Sequence, residues 1–427
     1  MSDMDIVRPN PVAFIQSARN LGYVLSEAVA DIVDNSIDAH ADEIDLEFYW
    51  SGEQSWIAVI DNGVGMDEDQ LIEAMRLGSK DPSEDRSEEE LGRFGLGLKT
   101  ASWAVCRSVT VISKCASGEI NVRRWDIDEL KKAGDFVLLQ DPTPVGKSLF
   151  SWLSDVSTGT IVLWEKLDRI SGDSAVSDKT QHEFFVSQIE QVQHHLESVF
   201  SRFLISENLR IAINRNSADG GVPLEAWDPF LEDHQWTNTL EPRSIAMEGQ
   251  IVTARTYILP HFSKLTDRER SKAGGIKGWN DQQGFYVYRN NRLIISGGWM
   301  GLFRNEEHTK LARVSVDIGN DLDFLMQVDV KKSTVIPTGD MRRQLKNIGT
   351  AARREAEKIY RARGSHSVAS ADDSTSPFML WEEVNRNNKK TWRISVSNPL
   401  VKSCLESING DAGKRRFRDL LRLVAET

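Results

Sequence analysis

The sequence has few cysteines, no long apolar run and no excess of positive charge, and each of these absences narrows the class of protein. Three cysteines among 427 residues, none of them in a CxxC pair, argue against a disulfide framework and against a cysteine zinc site. No stretch approaches the roughly 20 apolar residues of a membrane span, and the first residues lack the apolar core of a signal peptide. A net charge of −12 disfavours global attraction to nucleic acid or to an anionic membrane. We therefore expect a soluble, cytoplasmic protein with no membrane partner.

Helical and extended patterns alternate over residues 1–205, which we expect to form the first domain. A helical stretch runs from about Tyr23 to Ala39, and apolar residues at helical spacing predict a long helix from about Glu183 to Leu204. Alternating or β-branched segments predict strands at 44–50, 56–61, 108–113 and 159–165. Together these patterns indicate an α+β sandwich with helices on one face of a mixed sheet.

A second, smaller α/β domain is expected over residues 206–363. Its predicted elements are GFYVYRNNRLII at 284–295, an alternating strand at 324–330 and a charged helix at about 340–362. Residues 364–376 are small and polar, which is typical of a flexible linker, and 377–427 form a small C-terminal segment. The cluster KRRFRDLLR at 414–422 is the best local candidate for contact with an anionic partner.

The first motif is the segment EAVADIVDNSIDAHA at 27–41, which has one apolar and one polar face. Asp31, Asn35 and Asp38 recur at i, i+4 and i+7, so we expect them to line a pocket while the apolar face packs. An asparagine carboxamide can complete a magnesium coordination sphere beside phosphate oxygens and water. A carboxylate one turn earlier can orient or deprotonate an attacking water. Taken alone, the segment is equally well explained as an amphipathic surface helix.

The second motif is DNGVGM at 61–66, directly after the predicted strand WIAVI. An acidic side chain at a strand end can accept a hydrogen bond from a purine amino group, which is the role we expect for Asp61. Gly63 and Gly65 allow the backbone to turn tightly against the base, and Met66 would pack on its ring. By itself, DNG is also a common turn signal.

The third motif is LGRFGLGLKTAS at 91–102, in which three glycines precede a predicted helix. Such a loop offers backbone N–H groups at a helix N-terminus, where phosphate binds. The candidate phosphate-binding residues are Gly92, Arg93, Phe94, Gly95, Leu96, Gly97, Leu98 and Lys99. The loop lacks the GxxxxGK[ST] spacing of a Walker motif. The charged stretch at 81–90 is either a solvated surface loop or part of a mobile lid over about 78–95.

In this order and spacing, the three motifs resemble the GHKL superfamily: gyrase B, MutL, the large heat-shock chaperones, MORC ATPases and sensor histidine kinases. The resemblance covers about residues 10–200 and implies a Bergerat-type fold that binds ATP with Mg²⁺. It implies that Asn35 binds the metal, Asp61 the adenine and 92–99 the phosphates. The segment GTIVLWE is similar to the family's last pocket strand, which puts Thr160 beside Asp61.

Two candidate catalytic residues also come from the resemblance. The run VDVKKSTVIP is similar to the transducer loop of gyrase, MutL and MORC-type proteins, in which a lysine reaches the γ-phosphate. Lys332 is the better match and Lys331 its neighbour, although a surface lysine pair would look the same. Asp31 stands where ATP-hydrolysing relatives usually carry glutamate, and its shorter side chain implies slow turnover. Glu27 lies a further turn back and is the weaker candidate for the base.

The function favoured by the sequence is an ATPase that uses Mg-ATP to drive dimerisation of its N-terminal domain. A sensor histidine kinase is disfavoured, because no dimerising helix with a phosphoacceptor histidine precedes the first motif. The client stays open among DNA in a transaction or defence system, a partner protein in a chaperone-like remodelling activity, and no client at all. In the last alternative the protein is a nucleotide sensor with negligible turnover.

Overall fold

The structure is a computed structural model, and it has two compact units. One unit comprises the chain up to Arg361, and the other comprises the chain from Ala362 onward. The residues described are 9–20, 22–78, 97–206, 209–214, 221–247, 250–319, 337, 339–365, 381–386 and 389–394. No helix within these ranges is both long and apolar enough to cross a membrane.

Seven strands of the described chain form the first sheet, in the order β4-β3-β5-β2-β1-β6-β7. They are β1 (Glu43–Tyr49), β2 (Trp56–Asp61), β3 (Ser108–Lys114), β4 (Ile120–Asp126), β5 (Gly159–Glu165), β6 (Arg210–Ile213) and β7 (Val222–Pro223). Neighbouring strands pair antiparallel, except that β6 runs parallel to β1. The four strands expected from the sequence correspond to β1, β2, β3 and β5, so those predictions are confirmed.

Helices cover both faces of this sheet. They are α1 (Pro11–Arg19), α2 (Leu25–Asp38), α3 (Glu68–Met75), α4 (Gly97–Val105), α5 (Ile127–Ala133), α6 (Pro144–Ser148), α7 (Phe150–Ser154), α8 (Lys179–Val199) and α9 (Ser201–Ser206). The main core lies on the face of α1, α2, α4 and α8, where Val29 and Val33 of α2 are fully buried. On the opposite face, Leu149 and Leu153 at the α6–α7 corner pack against Ile161. The α+β class is therefore confirmed, with a small helical cover on the second face in addition.

The long amphipathic stretch before residue 205 forms two helices rather than one. Helix α8 ends at Val199, and Phe200 leaves the helical conformation with φ −102° and ψ 16°. The ring of Phe200 is fully buried and meets Phe203 edge-to-face at 6.2 Å between centroids. Phe200 and Phe203 are three positions apart and therefore face the main core together, on either side of the break.

A second sheet follows in the same compact unit, in the order β12-β11-β13-β10-β8, with β9 paired to β10. Its strands are β8 (Asn238–Thr239), β9 (Arg243–Met247), β10 (Gln250–Ile258), β11 (Gly284–Arg289), β12 (Arg292–Ser296) and β13 (Ala312–Ile318). Further helices are α10 (Asp267–Gly274), α11 (Gly278–Asp281) and α12 (Gly339–Ser365), with 3-10 turns at Phe262–Lys264 and Glu307–Thr309. Helix α12 buries Met341 and Leu345 against the sheet.

The second sheet has a hydrophobic core separate from that of the first sheet, although the two sheets belong to one compact unit. The division at residue 205 therefore stays a prediction, as do the boundaries at 363 and 376. The segment 284–295, which the sequence analysis assigned to this domain, forms the antiparallel pair β11 and β12. The strand expected at 324–330 lies outside the described residues. In the unit from Ala362 onward, β14 (Trp381–Arg386) pairs antiparallel with β15 (Lys389–Ile394).

Candidate functional site

Asp61 ends strand β2 as a buried carboxylate with three fixed donors. Its Oδ2 accepts from Ser36 Oγ at 2.8 Å, and its Oδ1 accepts from the backbone N–H groups of Gly63 at 3.0 Å and Thr160 at 3.2 Å. Burial raises the pKa of Asp61, and these three hydrogen bonds oppose the rise. Thr160 lies directly opposite Asp61 in the β2–β5 register. The carboxylate is therefore held in one orientation by α2, the following loop and β5.

The loop after Asp61 is clamped against strand β3. Gly65 has φ +68°, and a Cβ there would lie 2.0 Å from the carbonyl oxygen of Lys114, so only glycine fits without rearrangement. The Met66 N–H donates to Ser113 Oγ at 2.8 Å, and that hydroxyl lies 2.9 Å from Thr160 Oγ1. These contacts fix the backbone beside Asp61. Met66 is half-buried and packs against the main core.

Helix α2 carries the polar residues singled out in the first motif. Asn35 is exposed, whereas Asp38, almost one turn later, is half-buried. Ser36, between them, ties α2 to Asp61. The carboxamide of Asn35 is thus accessible on the helix that borders the Asp61 pocket. Among the described residues, no group of three or more His, Cys, Asp or Glu side chains could hold a metal ion.

Asp31 is buried on α2, with 6% of its surface exposed, and both of its oxygens have neighbours. Its Oδ2 accepts from the Tyr23 hydroxyl at 2.9 Å, and its Oδ1 lies 3.8 Å from a terminal guanidinium nitrogen of Arg292. The pKa of Tyr23 is raised, first by burial and then by the charge of Asp31. A Cβ added at Gly97 would lie 3.7 Å from Asp31 Oδ2. The first turn of α4 therefore faces this carboxylate.

Part of the predicted phosphate loop opens helix α4. Gly97, Leu98 and Lys99 form its first turn, and Lys99 is 2% exposed. Burial lowers the pKa of Lys99 to about 8, and the charge of Glu73 opposes that shift. Several predicted site residues lie outside the described residues: Gly92, Arg93, Phe94, Gly95, Leu96 and Lys332, together with Lys331, most of the expected lid and the segment at 414–422.

Four residues near the site were not found from the sequence. Ser36 and Ser113 fix Asp61 and its loop, but Ser36 is one of several polar residues in the first motif and Ser113 ends a predicted strand, so neither stands out in the sequence. Tyr23 holds Asp31 from the segment just before α2. Arg292 comes from the second sheet, 258 positions away from the Asp34 to which it binds, and no local pattern indicates such a contact.

A cavity of 1370 Å³ lies elsewhere in the same unit, between α8, α10 and β12. It is lined by Glu27 and Arg292 but by neither Asn35 nor Asp61. The fixed acceptor at Asp61 and the first turn of α4, which faces Asp31, both lie outside the lining of this cavity.

Comparison with known proteins shows what the part of the chain around this pocket resembles. Residues 23–160, which include Asp31, Asn35 and Asp61, match the model of the histidine kinase-, DNA gyrase B- and HSP90-like ATPases. ATPase morc-1 of Caenorhabditis elegans is 26% identical over 87 residues, covering 20% of this chain and 10% of that protein. ATPase MORC2B of Mus musculus is 30% identical over 92 residues, covering 20% of this chain and 9% of that protein. The chain thus spans about a tenth of these relatives. Over residues 23–160, about a third of its length, the chain is therefore similar to the GHKL-type ATPases, and over shorter stretches it is similar to two MORC ATPases.

Proposed function

We propose that this chain binds ATP with Mg²⁺ beside Asp61 and hydrolyses it slowly, and that bound nucleotide drives dimerisation of its N-terminal domain. The observation that supports this most is the buried Asp61 carboxylate with its three donors. A carboxylate offers about four acceptor positions, so one stays available for the amino group of adenine. Thr160 and Met66 border the same position, and Gly63 lets the backbone approach the base.

Asn35 is the proposed metal ligand. Its exposed carboxamide is a neutral oxygen donor, which suits Mg²⁺ shared with phosphate oxygens and several waters. Bound Mg²⁺ would neutralise charge that develops on the phosphates. Asp38 is proposed to extend the polar lining of the pocket. Gly97, Leu98 and Lys99, with residues 92–96, are proposed to bind the phosphates through backbone N–H groups and one ammonium group.

Asp31 is the proposed general base. The water oxygen bonds to the γ-phosphorus, and Asp31 accepts the proton that this water releases. The bond from the γ-phosphorus to the bridging oxygen breaks, and ADP leaves with that electron pair. Lys332 is proposed to stabilise the charge on the terminal phosphate. The aspartate is one methylene shorter than the usual glutamate, which favours slow turnover.

The adenine role of Asp61 is tested by titrating Asp61→Asn with fluorescent ATP. Loss of a charged acceptor should weaken binding by about 10- to 100-fold, because hydrogen bonds to charged groups contribute ~1.5–3 kcal/mol. Asp69→Asn is the control, since it removes the same charge from an exposed position on α3. Equal affinity of the two variants for ATP would contradict the proposed pocket.

Hydrolysis is tested with Asp31→Asn and Asn35→Ala. Asp31→Asn should bind ATP as the unmodified chain does while releasing no phosphate. Asn35→Ala should bind ATP in the presence of Mg²⁺ only as tightly as the unmodified chain binds ATP in EDTA. Phosphate release by Asp31→Asn at the original rate would show that another group is the base.

Dimerisation and the client are tested in solution. A non-hydrolysable ATP analogue is expected to shift the protein from monomer to dimer in light scattering, and an unchanged mass with bound analogue would contradict this. The resemblance of the three motifs to MutL and MORC proteins favours a DNA client in a DNA transaction or a defence system. DNA binding should then weaken steeply with salt, because neutralised phosphates release counterions. Robust turnover without any DNA binding would instead favour a protein-remodelling role.

A second candidate function is a nucleotide sensor with negligible turnover. The pairing of Asp31 favours it, because Tyr23 and Arg292 engage both oxygens that a water would approach. A sensor would return bound ATP unchanged after prolonged incubation with Mg²⁺. Recovery of ADP in proportion to time, lost in Asp31→Asn, would exclude this function.

A further inference from the structure

Arg292 is placed rigidly at the start of strand β12. The preceding turn has two residues, Asn290 with φ 46° and Asn291 with φ 64°, which is the pattern of a type I′ hairpin. Such a turn fixes the strand register, and Arg292 pairs with Arg289 across the hairpin. The side chain therefore leaves the second sheet at a defined position.

The guanidinium of Arg292 reaches helix α2, which packs on the first sheet. Its Nε donates to Asp34 Oδ1 at 2.6 Å, and a terminal nitrogen lies 3.8 Å from Asp31 Oδ1. The Phe200 ring lies 5.7 Å from the guanidinium carbon. Arg292, Asp34 and Asp31 are all buried, with 4%, 1% and 6% of their surface exposed. One cation from the second sheet thus lies beside two buried carboxylates of α2.

The charges explain why this contact matters. Asp31 and Asp34 are three positions apart on α2, so two buried negative charges lie on neighbouring turns. Without a cation between them, the two buried carboxylates would repel each other, and Asp31 would lose the charge that faces its Oδ1. His195 adds no second cation beside Arg292, because burial, with the charges of Arg292 and Lys277, lowers its pKa to about 4 despite the opposing charge of Asp34. His195 is therefore neutral at pH 7.

We propose that Arg292 is the positioning residue that holds the Asp31 carboxylate in the orientation needed for catalysis. The base is then competent only while the β11–β12 hairpin is docked on α2, which makes turnover depend on the second sheet. The Tyr23 hydroxyl donates to Oδ2 of Asp31. Arg292, which is bound to Asp34, places its positive charge beside Oδ1 of Asp31. This inference rests on the proposed hydrolysis by Asp31.

The first experiment separates ATP binding from turnover in Arg292→Gln and Arg292→Lys. Arg292→Gln should lower kcat by about 10- to 100-fold with unchanged Kd for ATP, since misplacement of a catalytic group affects rate more than binding. Arg292→Lys should recover part of kcat, because it restores the charge without the fork geometry. Retained ATP binding shows that each variant is folded.

Arg202→Gln is the matched control. Arg202 is a second arginine that joins the two sheets, because it lies on α9 and contacts Asp317 and the ring of Tyr288 in the second sheet. Its loss should leave kcat unchanged. An equal fall of kcat in Arg202→Gln and Arg292→Gln would overturn the specific role of Arg292 in favour of a general effect of domain contact.

The second experiment is chemical rescue of Arg292→Ala. Arg292 lines the 1370 Å³ cavity, so a small cation can reach the vacated position. Guanidinium below the concentrations that unfold the protein should raise kcat of Arg292→Ala and should not raise that of Arg202→Ala. If guanidinium does not rescue Arg292→Ala and Arg292→Gln keeps its kcat, the role of Arg292 is wrong, while the proposed hydrolysis still stands. Absence of turnover in the unmodified chain would overturn the proposed hydrolysis as well.

Discussion

Substitution of Gly65 by alanine offers the sharpest test of the pocket geometry. The backbone there has φ +68°, a conformation that costs a residue with a Cβ about 1–2 kcal/mol. The added Cβ would also lie 2.0 Å from the Lys114 carbonyl oxygen and 2.6 Å from its carbonyl carbon. Both atoms belong to the backbone at the end of β3, so they cannot move aside as a side chain would. Overpacking of this kind costs a further ~1–3 kcal/mol.

The whole destabilisation expected for Gly65→Ala is therefore about 2–5 kcal/mol. Urea unfolding followed by tryptophan fluorescence measures it. Gly134→Ala is the control, because Gly134 has the same φ of +68° at the end of α5 and no atom within 4 Å of the added Cβ. The control should lose only about 1–2 kcal/mol. Equal losses in the two variants would refute the close approach between Gly65 and Lys114.

Three further predictions concern the residues around the same pocket. Burial lowers the pKa of Lys99 from 10.5 to about 8, so the unfolded chain binds more protons between these values and the free energy of unfolding should rise from pH 8 to pH 10.5. Urea titrations should show this rise in the unmodified chain and a smaller one in Lys99→Met. Ser36→Ala removes the 2.8 Å bond to Asp61 and should weaken ATP binding about tenfold in calorimetry. Asp31→Glu moves the carboxylate about 1 Å outward and should raise kcat in a phosphate-release assay; a lower kcat would show that the contacts with Tyr23 and Arg292 matter more.

Local periodicity predicted most of the first sheet and its main helix. The helix expected from about Tyr23 to Ala39 is α2, Leu25–Asp38, because its apolar positions repeat with helical spacing and bury against the sheet. The DNG turn also predicted that Asp61 lies at a strand end, because the alternating strand before it ends where the glycines begin. Such features depend on neighbours in sequence, which a pattern can show.

Contacts between distant segments could not be predicted in this way. The break at Phe200 has no signal in the sequence, because the helical spacing of apolar residues continues through it. The short helices that cover the second face of the sheet, at 144–154, have too few turns for a clear period. Arg292 follows an Asn-Asn turn like many surface residues, and only the packing of the two sheets brings it to α2.

The parallel pairing of β6 with β1 bears on how the protein can be divided. A fragment ending at residue 205 would lack β6, and β1 would then present unpaired N–H and C=O groups along Glu43–Leu46, where β6 normally binds. Exposed strands of this kind recruit other chains, so this fragment should self-associate irrespective of nucleotide. A fragment extended to residue 225 would keep β6 and β7, and any dimer it formed could be attributed to ATP.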